Sequence, residues 1–279
     1  MNRKYKLTCA LTVLTLALAG CAGKTIKVEE AKPNPLPKLA QAKSLVPVFS
    51  SSVSSTDEAD PLRLRLDADN GVIFAINPNG EISAYQGKQR LWQKKVSKAG
   101  LSAGVEAASG LVIAGNTKGQ LFALDQQTGE QRWAAQLSGA IIAPSLVHAD
   151  RVITVANDGM VFAHEVSTGK QVWTYKLPNV QFSLRGIAAP VALDPRHVLI
   201  ASANGYIYAL DTVTGVPKMQ RRVAVSDGRS DIQRLNDIDG EPVVAGQFVV
   251  TTSYQGQVTV LDEVRLSEVT SSEASLRRF

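Results

Sequence analysis

The feature that most constrains this chain is a segment that returns along the sequence. FALDQQTGEQRW ends at Trp133, FAHEVSTGKQVW ends at Trp173, and YALDTVTGVPKM ends at Met219. A segment that recurs after about forty residues is a structural unit, because a single site would need it only once. The repeat therefore predicts a fold built from copies of one supersecondary unit.

Each unit contains four short β-rich runs separated by turn residues, which is typical of a four-stranded meander. We name these strands A to D in chain order. The distance from the start of strand A to the aromatic position of strand D is 29 residues in three units, from 104 to 133, from 144 to 173 and from 190 to 219. A less regular unit runs from Leu62 to Trp92, and a fifth starts at Pro242. This pattern predicts an all-β fold, a β-propeller of about five blades.

The repeated turn and the repeated tryptophan both have structural explanations. The carboxylate of Asp125 can accept backbone N–H groups of the turn that follows it, and Gly129 and Gly169 allow positive φ in that turn. Trp133 and Trp173 offer large flat surfaces that can pack against the next unit. We therefore predict that these five residues are scaffold residues, which recur because every blade needs them.

The first twenty residues are predicted to be a signal peptide. A positive segment with Arg3, Lys4 and Lys6 precedes the apolar stretch 7–19. The Leu-Ala-Gly-Cys that follows resembles the lipobox of bacterial lipoproteins, in which the cysteine receives acyl chains such as palmitate and the preceding peptide is removed. The resemblance implies a lipidated Cys21 at the periplasmic face of the outer membrane, since Ala22 stands where an Asp would indicate inner-membrane retention.

Composition divides the rest of the chain into three parts. Residues 21–55 are rich in Lys, Pro and Ser and are predicted to be a flexible tether, because this composition buries little apolar surface. The repeats occupy residues 56–262. Residues 263–279 lack both the Thr-Gly turn and the Trp of the repeat. We expect them to be an aberrant tail, produced by a shifted or truncated reading frame, which leaves the propeller open.

Charge and cysteine content argue against two further features. Three of the 30 basic residues lie in the predicted signal peptide, so the mature chain would carry 27 Lys and Arg against 25 Asp and Glu. This near balance gives no support for nucleic-acid binding. Cys9 would leave with the signal peptide, so Cys21 would have no partner for an intrachain disulfide.

No motif of an enzyme or of a metal site is apparent in the sequence. His148, His164 and His197 are far apart and have no cysteine beside them. The acidic stretches DADNG and DIDG do not have EF-hand spacing and are predicted to be turns. We therefore predict no catalytic residue, no metal and no cofactor.

One alternative comes from another class of function. The motif Ala-x-Asp-x-x-Thr-Gly-x-x-x-Trp, complete at residues 123–133, resembles the tryptophan-docking repeat of quinoprotein dehydrogenases, which use the cofactor PQQ. This resemblance implies a periplasmic PQQ-dependent oxidoreductase. Such an enzyme would need a longer chain, a calcium-bound quinone pocket and, commonly, an adjacent cysteine pair that this sequence lacks. A non-enzymatic protein is therefore the favoured interpretation.

All variation in repeat length falls between strand D of one unit and strand A of the next. This connection takes 11, 17 and 23 residues in successive units, measured from the aromatic position to the start of strand A. Consecutive D-to-A connections of a propeller emerge on one face, so the two enlarged loops are expected to be neighbours. They are either binding loops or merely long solvated loops, and spacing alone does not distinguish these alternatives.

The two enlarged loops also carry the most specific family resemblance. FSLRGIAAPV and DIQRLNDIDGEPVVAGQFVVTTSYQGQVTVLD, together with the lipobox and the propeller repeats, resemble the BamB family of lipoproteins of the outer-membrane β-barrel assembly (BAM) complex. The resemblance runs from the leader to about Asp262. It implies an eight-bladed, non-enzymatic scaffold that binds the POTRA domains of BamA, the barrel subunit of that complex, and assists insertion of outer-membrane proteins.

The resemblance also implies which loop residues contact BamA. In the first loop, Leu184 and Arg185 match residues implicated in that contact, and Phe182 stands at a leucine position of the family. In the second loop the acidic pair Asp237 and Asp239 matches. These five residues are the predicted partner-binding site.

Overall fold

The structure, a computed structural model, describes residues 46–47, 49–50, 64–178, 187–224, 238, 240–253 and 257–273. Within this part of the chain, no helix has the length and apolar character needed to cross a bilayer. The strands of the described residues are, in chain order, β1 (Asp67–Asp69), β2 (Val72–Ile76), β3 (Glu81–Gln86), β4 (Gln89–Lys95), β5 (Glu106–Ala108), β6 (Leu111–Gly115), β7 (Gln120–Asp125), β8 (Gln131–Gln136), β9 (Leu146–His148), β10 (Arg151–Val155), β11 (Met160–Glu165), β12 (Gln171–Lys176), β13 (Val191–Asp194), β14 (His197–Ala201), β15 (Tyr206–Asp211), β16 (Pro217–Arg222), β17 (Val243–Ala245), β18 (Phe248–Thr252), β19 (Gln257–Asp262) and β20 (Glu268–Glu273).

These strands form five four-stranded sheets, and in each sheet the strands are hydrogen-bonded in chain order. Neighbouring strands are antiparallel, as in the pairing of β6 with β7. The tight turn between β6 and β7 requires a glycine, because Gly119 has a φ of 76° and an added Cβ would lie 2.7 Å from the carbonyl oxygen of Leu137. The prediction of four-stranded meanders is confirmed.

The first strand of each sheet is the innermost one. β1, β5, β9, β13 and β17 contact each other in succession, whereas the last strand of each sheet lies at the outside. Apolar side chains of the second and third strands fill the space between consecutive sheets in four separate clusters. We number the sheets as blades 1 to 5. Together they form an open or incomplete propeller, as predicted from the repeat.

A tryptophan of the outer strand joins each of the first three blades to the next. Trp133 is 7% exposed, and its Nε1 donates a hydrogen bond of 2.8 Å to the carbonyl oxygen of Val166 in blade 3. Its ring lies over Gly169, where an added Cβ would meet the ring at 2.5 Å. Trp92 and Trp173 make the same two contacts with blades 2 and 4. The glycine of each turn therefore leaves the space that the tryptophan ring of the preceding blade occupies.

The Asp-x-x-Thr-Gly segment forms the turn that presents this glycine. Asp125 Oδ1 accepts hydrogen bonds of 2.9 Å from the backbone N–H groups of Gln127 and Thr128, and the Gly129 N–H donates to the Asp125 carbonyl at 2.9 Å. Arg132 forms an ion pair with Asp125 at 2.6 Å. The Arg132 guanidinium and the backbone donors lower the pKa of Asp125 to about 2, so the turn keeps a charged acceptor at neutral pH.

Blade 5 continues beyond Asp262, where the sequence predicts an aberrant tail. Asp262 Oδ1 accepts from the N–H groups of Val264 and Arg265 at 3.1 and 3.0 Å, so the turn forms without Thr-Gly. Leu266 takes the glycine position with a φ of 51°. β20 then pairs with β19 and completes the sheet. Backbone pairing needs neither the Trp nor the Thr-Gly, so the repeat motif in the sequence does not indicate this last strand.

Leu266 also changes the contact between blades 4 and 5. It is 1% exposed and buried in the cluster on which Met219 packs. Met219 stands where the earlier blades have tryptophan. Blade 4 therefore has a methionine where the earlier blades have a tryptophan, and blade 5 has a leucine where the other blades have a glycine.

Candidate functional site

The D-to-A connections leave the propeller on the same side as the turns between the second and third strands. The residue that follows the outer strand donates its N–H to the carbonyl of the turn glycine in each of blades 1 to 4. These bonds measure 2.8–2.9 Å and join Val96 to Gly80, Leu137 to Gly119, Leu177 to Gly159 and Val223 to Gly205. We call this side of the propeller the loop face.

The residues predicted to bind a partner belong to the two long connections of the loop face. They lie outside the described residues, as does the predicted lipidation residue: Phe182, Leu184, Arg185, Asp237, Asp239 and Cys21. The structure does describe the residues on both sides of each connection.

The C-terminal end of the first enlarged loop and two described residues of the second lie in one buried cluster. Ala188 follows the first loop, while Val223 and Ile238 flank the second, and these three residues are 3%, 6% and 1% exposed. All three belong to the cluster between blades 4 and 5, together with Val249 and Leu261. The structure therefore brings the end of the first loop close to both described parts of the second, and that the loops themselves are neighbours stays a prediction.

A group of tyrosines lies beside the end of the first loop. The ring centroid of Tyr208 is 6.3 Å from that of Tyr175 and 6.1 Å from that of Tyr206. Asn204 donates a hydrogen bond of 2.8 Å to the Tyr208 hydroxyl, and burial raises the pKa of Tyr208. Ile187 packs against the same cluster. Tyr175 and Tyr206 are only partly buried, so this group adds aromatic surface to the loop face.

Sequence reasoning missed this tyrosine group because its members come from two blades. Tyr175 is in β12 of blade 3, and Tyr206 and Tyr208 are in β15 of blade 4. The sequence does contain an indication of this surface, since all three residues are aromatic and lie near strand ends that flank an enlarged loop. Only the packing of blade 3 on blade 4 makes them one surface.

Polar side chains in or next to the inner strands connect different blades near the axis. Asp67 Oδ2 accepts a 2.8 Å hydrogen bond from the Ala107 N–H, and Glu106 Oε1 accepts a 3.2 Å bond from the Val147 N–H. Arg65, just before β1, forms an ion pair with Glu241, just before β17. These side-chain contacts add to a backbone hydrogen bond of 3.0 Å from the Val105 N–H to the Arg65 carbonyl oxygen, which joins blades 1 and 2.

Within this inner group, Glu106 is the residue whose pKa is shifted. Its pKa is raised from 4.5 to about 7, mainly by burial; the Val147 N–H opposes the rise, Asp67 adds to it, Arg65 opposes it and Glu241 adds to it. Folding therefore favours the protonated form. The unfolded chain loses that proton near pH 4.5, so Glu106 lowers the stability of the fold as pH rises from about 4.5 to about 7.

Replacing Glu106 by glutamine is expected to stabilise the protein above pH 7 and to leave it unchanged near pH 4. The glutamine side chain keeps an oxygen for the Val147 N–H but has no charge to bury. The pKa difference between 4.5 and about 7 corresponds to a gain of at most about 3 kcal/mol in the free energy of unfolding. Urea unfolding at both pH values measures this, and Glu130→Gln on the exposed surface is the control. An equal effect of Glu106→Gln at both pH values would contradict the assignment.

The three histidines make structural contacts rather than a shared site. His148 Nε2 lies 2.7 Å from the carbonyl oxygen of Asp194, and His197 Nδ1 lies 2.7 Å from its carboxylate. His164 is stacked with Trp133 and Phe162 at 6.3 Å, and burial lowers its pKa. Among the described residues there is no group of three His, Cys, Asp or Glu side chains arranged to hold a metal ion.

Comparison with known proteins agrees with this architecture. The family model described as outer membrane protein assembly factor BamB matches residues 70–276. Relatives of that name from Burkholderia pseudomallei and Yersinia pestis are 29% and 31% identical over 93% and 88% of this chain, which covers 67% and 65% of their lengths. The chain therefore spans about two thirds of the length of these relatives.

A solved structure is also similar in three dimensions. The crystal structure of BamB from Moraxella catarrhalis superposes with a TM-score of 0.72 at 35% sequence identity and covers 76% of this chain and 64% of that one. The matched family model, the relatives and the blade architecture agree with each other. This chain belongs to the family of the outer membrane protein assembly factor BamB.

Proposed function

We propose that this protein is a non-enzymatic scaffold of the BAM complex, which docks on the POTRA domains of BamA and assists insertion of outer-membrane proteins. The observation that carries the proposal is that described residues at the ends of the two enlarged loops, Ala188, Val223 and Ile238, share one buried cluster. Loops with fixed ends on a rigid scaffold lose less conformational entropy on binding than free segments do. The names of the relatives support a role in outer-membrane assembly.

We further propose that Cys21 carries the lipid that holds this scaffold at the periplasmic face of the outer membrane. The Leu-Ala-Gly-Cys sequence after an apolar stretch supports this proposal. More than one acyl chain is needed for stable anchoring, and a lipobox cysteine receives several. The tether 21–55 would then allow the propeller to reach a partner near the membrane.

The chemistry of the loops suits a protein partner. Arg185 has a planar guanidinium that pairs with carboxylates in two-pronged geometry, and Phe182 and Leu184 add apolar anchors in the same loop. Asp237 and Asp239 supply acceptors of the opposite charge. A patch with apolar groups and both signs of charge fits a folded protein surface better than an anionic polymer.

The test is the affinity of Arg185→Ala for the POTRA domains of BamA. We expect a loss of roughly 2 kcal/mol, about thirtyfold in Kd, because arginine in the centre of an interface is often a dominant residue. Isothermal titration calorimetry with the purified chain measures this loss. The double variant Asp237→Ala/Asp239→Ala tests the second loop in the same way.

The matched control is Arg90→Ala, which removes an exposed arginine from β4 in blade 1. It is expected to bind like the unchanged chain. Circular dichroism checks that every variant is folded, so a loss of binding can be separated from a loss of structure. Unchanged affinity in both loop variants, with folding intact, would reject the loop face as the docking site.

A further inference from the structure

Three asparagines in the sequence are followed directly by glycine: Asn70, Asn79 and Asn204. Each pair lies in a tight turn between two antiparallel strands, where Asn-Gly is a favoured sequence. The same pair can modify itself, because the backbone nitrogen of the glycine can reach the side-chain carbonyl carbon of the asparagine, and glycine has no Cβ to obstruct the approach. The three pairs share this covalent chemistry, so differences in their reactivity arise from the fold.

The reaction removes ammonia and then adds water. A base such as hydroxide takes the proton of the glycine N–H, and the nitrogen forms a bond to Cγ of the asparagine. The bond from Cγ to Nδ2 breaks, Nδ2 takes a proton from water and leaves as ammonia, and a five-membered succinimide remains. Water opens this ring at either carbonyl group and gives aspartate or isoaspartate. A hydrogen bond on the glycine N–H opposes the first step, and hydrogen bonds of the asparagine amide restrict the rotation that brings Cγ to the nitrogen.

The glycine nitrogens of the two turns on the loop face are occupied. The Gly80 N–H donates to the carbonyl oxygen of Asn77, and the Gly205 N–H donates to that of Ser202, both at 3.1 Å. Both glycines are also buried. Each nitrogen must therefore give up a hydrogen bond before it can attack the asparagine that precedes it.

Asn204 has two further hydrogen bonds on its own side chain. Its Nδ2 donates to the Tyr208 hydroxyl at 2.8 Å, and its Oδ1 accepts from the Tyr206 N–H at 3.0 Å. Asn79 is exposed, and its side chain forms no hydrogen bond with any residue that the structure describes. The two turns therefore differ in protection: one hydrogen bond opposes the reaction at Asn79, and three oppose it at Asn204.

The turn of Asn70 and Gly71, between β1 and β2, has neither kind of protection. Both residues are exposed, and among the described residues no hydrogen bond involves the Asn70 side chain or the Gly71 N–H. The corresponding turns at 109–110 and 149–150 are exposed as well, although blades 2 and 3 have a neighbour on each side. The exposure of Asn70 is therefore a property of this turn and does not depend on where the array of blades begins.

We propose that Asn70 is a site of spontaneous deamidation in the folded protein, at which the chain acquires aspartate or isoaspartate, whereas the hydrogen bonds of the other two turns protect Asn79 and Asn204. The expected order of rates is Asn70, then Asn79, then Asn204. The hydrogen bond on the Gly80 nitrogen makes the expected rate at Asn79 about fivefold lower than at Asn70, since a bond worth about 1 kcal/mol must break first. Deamidation at Asn70 is independent of docking on BamA.

Deamidation at Asn70 would weaken the contact between blades 1 and 2. In the strand that leads to this residue, Asp67 Oδ2 accepts a hydrogen bond of 2.8 Å from the Ala107 N–H of blade 2. Asp69 Oδ2 accepts one of 3.1 Å from Gln126 Nε2 of the same blade. Aspartate at position 70 would add a third carboxylate beside these two, and isoaspartate would also lengthen the main chain of a two-residue turn that sets the register of β1 on β2. We therefore expect the modified chain to unfold at a lower temperature.

Mass spectrometry of the full chain, after incubation in a mildly alkaline buffer with a mild detergent, tests the order of rates. Digestion with pepsin in acid stops further deamidation, and fragment ions assign the modified residue because the conversion of an amide to a carboxylic acid changes its mass. We expect modification of Asn70 to be at least about fivefold faster than that of Asn79, and that of Asn204 to be the slowest. Equal rates at the three sites, or a faster reaction at Asn79 or Asn204, would overturn the proposal.

Incubation of the same chain in urea is the matched control, because unfolding removes the hydrogen bonds and all three pairs should then react at similar rates. Tyr208→Phe keeps the ring but removes the acceptor of Asn204 Nδ2, so it should accelerate the reaction at Asn204 and leave that at Asn70 unchanged. An Asn70 that reacts in urea but stays intact in the folded chain would contradict the proposal. Ion exchange separates modified from unmodified chains, and equal unfolding temperatures of the two fractions would refute the expected weakening between blades 1 and 2.

Discussion

Truncation of Trp133 to alanine is expected to destabilise the protein by roughly 3–5 kcal/mol. The indole is buried between blades 2 and 3, and its removal would leave a cavity over Gly169. It would also leave the carbonyl oxygen of Val166 without its hydrogen-bond donor. The variant should therefore lose stability or solubility rather than one selected activity.

Urea unfolding followed by circular dichroism measures the effect of Trp133→Ala. Leu91→Ala is the control, because Leu91 precedes the equivalent tryptophan of blade 1 on the outer strand but is 41% exposed. It is expected to change the free energy of unfolding by about 0.5 kcal/mol or less. Similar losses in both variants would mean that the indole is not the main contact between these blades.

Gly169→Ala is the second substitution with a large expected effect, a loss of about 2–5 kcal/mol. Two causes combine. Alanine in the left-handed region, at the φ of 70° found here, costs about 1–2 kcal/mol. The new methyl group would lie 2.5 Å from the ring of Trp133, and overpacking of this kind costs typically about 1–3 kcal/mol more.

The chain contains a glycine that separates these two causes. Gly110 has a φ of 76°, close to that of Gly169, but nothing lies within 4 Å of an added Cβ. Gly110→Ala is therefore expected to show only the backbone cost of about 1–2 kcal/mol. In the double variant Trp133→Ala/Gly169→Ala the steric clash is absent, so the combined loss should be smaller than the sum of the single losses. Additive losses would argue against direct packing of the ring on the glycine.

The repeated parts of this fold could be predicted from sequence because they are local. The constant 29-residue distance between the start of strand A and the aromatic position fixes four strands and their turns within one short segment. The turn residues Asp125 and Gly129 act on neighbours within four residues, so their roles can be inferred without knowledge of other blades. Each blade then packs on the next through the same residues that recur in the sequence pattern.

The features that escaped prediction depend on contacts between blades. Glu106 is one of many acidic residues in the sequence, and only its position between blades 2 and 3 raises its pKa. Tyr175 and Tyr208 become neighbours only when blades 3 and 4 pack. The last strand of blade 5 is not evident from the sequence, because Leu266 stands at the glycine position of the turn although the backbone still forms that turn. The five loop residues of the candidate site remain a prediction from sequence.

The pairing of Met219 with Leu266 has a consequence for the order in which the blades can be arranged. The first three junctions combine a tryptophan with a glycine, whereas the last combines two residues of intermediate size. If blade 5 followed an earlier blade, Leu266 would occupy space that a tryptophan ring requires. If an earlier blade followed blade 4, a void would remain beside Met219. The sizes of the side chains at each junction thus favour packing of blade 5 on blade 4 over packing on any other blade. This difference disfavours incorrect blade pairing while a chain of similar repeats folds.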